Sequence, residues 1–94
     1  MPALLFDVRW PDGEVSRLYS PSTVIGSYLA AGARYPLADF VVRARAAMQA
    51  ASERVRAVHG FPCSRAAATL DHIETQAGRY PPDAHVAVER ILHG

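Results

Sequence analysis

The segment His59-Gly60-Phe61-Pro62-Cys63-Ser64-Arg65 holds the only cysteine of the chain, a histidine four residues before it and an arginine two after it. A thiol at the start of a helix faces unpaired amide donors and the positive end of the helix dipole, both of which favour thiolate. Arg65 adds a cation, and His59 can act as a base if the bend at Gly60-Phe61-Pro62 returns it to the sulfur. That pattern suits a small thiol-dependent enzyme or carrier with Cys63 as nucleophile and His59 as its partner. Against it, no neighbouring residue supplies an orienting carboxylate or an oxyanion hole, and cysteine is commonly buried as a small hydrophobe. Both readings stay open, the packing or capping role being favoured. The chain is uncertain as an enzyme and leans away from one.

Other constellations are thinner. His59 and Cys63 lack partners at zinc-like spacing, and His72, His85 and His93 are scattered, so no metal site is expected. No glycine-rich phosphate loop is present and no cofactor is implied. Arg43 and Arg54 flank one side of the apolar stripe of a long helix, and Arg45 and Arg56 the other. They could clamp phosphate, carboxylate or nucleic acid, or lay their stems on the core with their heads in water. Glu53 is placed to pair with Arg56, and Glu74 can neutralise another arginine. Nucleic acid is disfavoured, because the four arginines lie on opposite flanks and no aromatics are interleaved with them.

The elements that must position these residues follow from periodicity. Leu4, Phe6, Val8 and Trp10 alternate onto one face of a strand. Trp10-Pro11-Asp12-Gly13-Glu14 is a turn with glycine at the left-handed position. If Trp10 faces Glu14, Asp7 faces Arg17 and Phe6 faces Leu18, pairing opposite charges and apolar side chains. A hairpin over about residues 3–20 is expected. Ser20-Pro21-Ser22-Thr23 then reads as a helix start, with a stop near Gly32. Pro36 opens the main helix, whose Leu37, Phe40, Val41, Ala44, Met48, Ala51, Val55 and Val58 form one stripe ending at Gly60. A further helix runs from about Ser64 to Ala77, with Ala66, Ala67, Leu70, Ile73 and Ala77 apolar. His85 to Ile91 closes the chain as a strand with Val86 and Val88 inward. The expected fold is α+β, in the order ββαααβ, with a three-stranded, mostly antiparallel sheet covered by helices.

Ninety-four residues, half of them hydrophobic and a fifth charged, make one small folded domain over residues 1–94. No apolar run approaches the roughly 20 residues that span a bilayer, and a lone cysteine argues against a secreted disulfide scaffold, so a cytoplasmic address is expected and no membrane. All ten basic residues are arginine, a skew that a GC-rich genome also produces. A net charge of +1 and a pI near 8.0 fall short of a basic nucleic-acid-binding domain. The main helix, at about 1.5 Å per residue, is as long as a domain of this size. A homodimer through helices is therefore expected.

Taken together, "RWPDG", "YSPSTVI", "YPLADFV", "ASERVRA", "GFPCSRA" and the "IE" at residues 73–74 resemble a family of small bacterial nitrogen starvation response proteins, over about residues 3–88. Cys63 and Ser64 match the family pattern, whereas Pro62 stands where members typically have alanine, and Glu89–Gly94 looks less like the family. The resemblance implies a gene cluster that also encodes a nitrilase-like enzyme, a radical SAM protein and a flavoprotein, linked to nitrogen limitation and nitrile use. It implies no activity for named residues. The leading expectation is a non-enzymatic accessory protein that binds protein partners from that cluster, with the arginine-flanked helix and Trp10 as candidate surfaces. The alternatives are the Cys63 enzyme or carrier and a nucleic-acid-binding regulator.

Overall fold

The computed structural model of the chain describes residues 4–21, 23–60 and 64–93. Strands β1 (Leu4–Arg9) and β2 (Val15–Ser20) form the expected hairpin, with Asp7 opposite Arg17 and Phe6 opposite Leu18. Gly13 adopts φ 91°, and the turn closes with the Trp10 amide donating to the Glu14 carbonyl at 2.8 Å. Alternation sends Leu4, Phe6, Val8 and Trp10 into the core.

The segment after the hairpin departs from expectation. In place of a helix reaching Gly32 there is a 3₁₀ turn, Thr23–Ser27, and then a strand β3, Arg34–Pro36. Val24, Ile25, Gly26 and Ser27 are poor helix formers in a stretch too short to propagate. Gly32 does take a left-handed φ of 83°, but its amide donates to the Val88 carbonyl and leads the chain into the sheet. Pro36, expected to open the helix, is its N-cap and at the same time the last residue of β3, so α1 begins one residue later at Leu37. A residue before proline favours extended backbone, and proline tolerates an edge strand because no ladder hydrogen bond is asked of it there.

The sheet is therefore four-stranded and antiparallel in the order β2-β1-β4-β3, not three-stranded. β4 (His85–His93) runs beyond the expected Ile91 and carries a bulge opposite Asp7 and Val8. Val8 pairs with Val88 and Asp7 with Arg90, so one extra residue is accommodated between them. The bulge resets the alternation: Val86, Val88 and Ile91 share the inner face, and Glu89 and Arg90 both point outward.

Helices α1 (Leu37–His59) and α2 (Ser64–Ala77) cover the inner face. The first α1 amides, Leu37 and Ala38, donate to the carbonyls of Ala84 and Pro82, which satisfies two otherwise orphaned donors. At the other end Gly60 takes φ 83° and its amide donates to the Arg56 carbonyl. Leu37, Phe40, Ala44, Ala47, Met48, Ala51 and Val55 are buried, while Val58, expected on the stripe, is 64% exposed. On α2 the buried face is Ala66, Thr69, Ile73 and Gln76, rotated toward β2 from the expected line through Ala67.

Candidate functional site

Trp10 is 1% exposed. Its ring meets Phe40 edge-on at 5.8 Å and stacks on Tyr80 at 6.2 Å. A tryptophan so enclosed anchors the hairpin to α1 and is not a surface for a partner. The reason lies in the alternation itself, which puts Trp10 on the same face as Phe6 and Val8. The Tyr80 hydroxyl is buried without a hydrogen bond of ordinary geometry. Burial first, and then the neighbouring Asp12 carboxylate, raise its pKa above the usual phenol value.

A polar ladder runs from this aromatic group to α2. The indole Nε1 donates to Ser16 Oγ at 2.9 Å, and Ser16 Oγ lies 3.1 Å from His72 Nε2. Because the hydroxyl oxygen accepts from the indole, its proton is available to the imidazole. A serine beside a histidine is the beginning of a nucleophile–base pair. Here its neighbours give it another role: Thr69 Oγ1 donates to the Tyr19 carbonyl at 2.8 Å, and Gln76 Nε2 donates to Glu14 at 3.3 Å. Thr69, His72 and Gln76 recur at helical spacing along one flank of α2 and clasp the edge strand β2. His72 is exposed, as expected, yet engaged. The stripe of three polar residues beside the apolar one was the available signal.

The four arginines of α1 do not converge. Arg43 donates to Asp39 one turn earlier at 2.8 Å and lies over the Tyr35 ring at 5.0 Å. On the opposite flank Arg45 donates to Glu74 of α2 through Nε at 3.1 Å and Nη2 at 2.9 Å. Arg54 and Arg56 stand on the exposed C-terminal half of the helix and form no ion pair among the described residues, the expected Glu53–Arg56 pair included. Two arginines are thus neutralised and two are left to solvent. His59 ends α1 at the surface, and Cys63 lies outside the described residues.

The outer face of the sheet, which neither α1 nor α2 covers, holds a charge cluster that cross-strand pairing predicts only in part. Asp7 is buried to 6% exposure between Arg17, whose Nε and Nη2 reach its two carboxylate oxygens at 2.8 and 3.0 Å, and Arg90, whose Nε is 3.5 Å away. The hydrogen bond from Arg17 holds the carboxyl below its ordinary pKa, outweighing desolvation, with Arg90 adding to the effect. Cross-strand pairing revealed Arg17; Arg90 is aimed by the bulge, which no simple alternation could show. Beyond this cluster, Arg65 of α2 lies 3.7 Å over the Tyr19 ring.

These features define a small α+β domain in which one antiparallel sheet is backed on one side by a helix pair. The chain belongs to the nitrogen starvation-induced protein NitG family, whose model matches residues 5–91. No curated protein and no solved structure shows significant similarity to it. No helix among the described residues is long and apolar enough to cross a membrane.

Proposed function

We propose that the chain is a non-enzymatic accessory protein that acts in the cytoplasm by binding a protein partner, an enzyme of the nitrile-metabolising cluster in which genes of this family typically lie. The observation that carries this reading is the distal half of α1. From Ser52 to Gly60 only Val55 is buried, and Val58 stands 64% exposed one helical turn from Arg54, with Arg56 on the opposite flank; neither arginine has an acidic partner among the described residues. An exposed apolar side chain with an unneutralised guanidinium one turn away, and a second on the far flank, suits a partner surface that is apolar where Val58 meets it and acidic around it. A second copy of this chain is the other reading, favoured by the same overhang.

The test is to mix the purified chain with the purified nitrilase-like, radical SAM and flavoprotein products of the cluster and follow complex formation by sedimentation velocity. One of them is expected to co-sediment with the wild-type chain and not with the Arg54→Glu/Arg56→Glu variant. No complex with any of them, or equal binding by that variant, overturns the proposal.

A further inference from the structure

On the outer face of the sheet, pairing places three residues of neighbouring strands in one row: Arg9 of β1 and Arg34 of β3 both lie opposite Ala87 of β4. Two strand spacings, about 9.6 Å, separate the two arginine positions, and between them the floor is only a methyl group. His85, two residues from Ala87 on the same face, closes one end, and Pro11 and Gly13 of the hairpin turn form the rim. The result is an open cup of about 220 Å³.

Its polar groups are prepared for an anion. Arg9 Nε donates to Glu89, and Arg9 Nη1 donates to the Gly13 carbonyl at 3.2 Å. These contacts occupy two of the five donors of a guanidinium, fix its direction and leave the others for a ligand. Arg34 and His85 make no ion pair or side-chain hydrogen bond among the described residues. The outward positions of the strands carry Arg9, Arg17, Arg34 and Arg90 against Asp7 and Glu89, so this face is more positive than the chain as a whole, whose net charge is +1.

From this arrangement we propose that the Arg9–Ala87–Arg34 cup, with His85 at its end, is a binding site for the phosphate group of a small ligand, either inorganic phosphate or a phosphate monoester. Arginine side chains rooted at strand positions about 9.6 Å apart have the reach to bring two guanidinium groups onto one phosphate, each with N–O distances of about 2.8 Å. A phosphate offers oxygens on every side, toward Arg9, Arg34 and His85 together, whereas a carboxylate offers only two in one plane. Glu89 is a positioning residue, which holds Arg9 at the wall. The cup lies on the face of the sheet opposite α1, so it stands or falls independently of the partner reading.

The experiment is an amide chemical-shift titration of the whole chain at fixed ionic strength with inorganic phosphate, glycerol 3-phosphate and succinate. Saturable shifts centred on Gly13, Arg34 and Ala87 are expected with the two phosphates, and weaker ones with succinate. Arg34→Ala should weaken phosphate binding by about tenfold or more. Ala87→Val, which keeps every arginine and suits a strand, should do the same by filling the floor. Arg17→Ala, on the same face outside the cup, should bind as wild type does. Linear, unsaturated shifts, equal weakening by Arg17→Ala, or undiminished binding by Ala87→Val would each show a diffuse basic surface and overturn the site. Succinate binding as tight as phosphate would overturn the assignment of the ligand.

Discussion

Asp7 shows how much one residue can organise on an open sheet face. Its carboxylate accepts from Arg17 across one strand boundary and faces Arg90 across the other, tying β2, β1 and β4 together through side chains as well as the ladder. Its pKa is lowered in the folded protein, chiefly by the Arg17 hydrogen bond, so the sign of its pH dependence is set. The stabilisation is complete above the ordinary carboxylate pKa of about 3.9 and is lost as the pH falls from there through the lower folded value. Thermal melts of Asp7→Asn and wild type should accordingly differ at neutral pH, the variant melting lower, and converge in that acid window. A constant gap down to the lowest pH would refute this account. The Asp7–Arg17 pair was legible, because cross-strand neighbours follow from a turn that fixes the register. Arg90 was not, since its direction depends on a bulge that one strand cannot reveal alone. Trp10 was misjudged as a candidate surface although its own alternation with Phe6 and Val8 already placed it inside.

At the scale of elements, the edge strand β2 is protected by the polar flank of α2. The Thr69 hydroxyl donates to the Tyr19 carbonyl from a nearly buried position, so its loss leaves that acceptor without a donor. Thr69→Val should lower unfolding free energy by about 1–2 kcal/mol, measured by urea denaturation, while Thr69→Ser should recover most of it. Equal stability of the valine variant and wild type would mean that α2 is held by apolar packing alone. The hairpin, both long helices and the inward face of β4 were legible, because each repeats its period several times or ends in a marked turn. β3 was not. Three residues before a proline carry no period, and Arg34-Tyr35 becomes a strand only because β4 offers it a partner. The same dependence on tertiary context shortened the expected helix to the turn Thr23–Ser27. For the candidate site, helical spacing correctly divided the α1 arginines between two flanks. It could not say which would find Asp39 or Glu74 and which would be left in water.

At the scale of the whole molecule, α1 sets the shape. Its 23 residues, at about 1.5 Å each, run close to the 38 Å length of the longest axis, whereas the other two axes are 23 and 18 Å. The helix pair and sheet cover α1 well in its first half, where Phe40, Ala44 and Ala47 are fully buried. Coverage falls away toward Gly60, and at Val58 the stripe continues with no buried contact among the described residues. Exposed apolar area at Val58 contributes little to the isolated fold, and under the proposed function it is the partner that covers it. Val58→Asp should thus change unfolding free energy by no more than about 0.5 kcal/mol, yet abolish the association proposed for the helix. Sedimentation equilibrium of the wild-type chain alone, over a range of concentrations, separates the two occupants. A molar mass that rises toward the dimer and falls back in Val58→Asp assigns the surface to a second copy. A monomer throughout, with Val58→Asp losing the complex with a cluster enzyme, assigns it to that partner. If Val58→Asp leaves both associations intact, the overhang of α1 is not the binding surface, and the length of the helix serves the core alone.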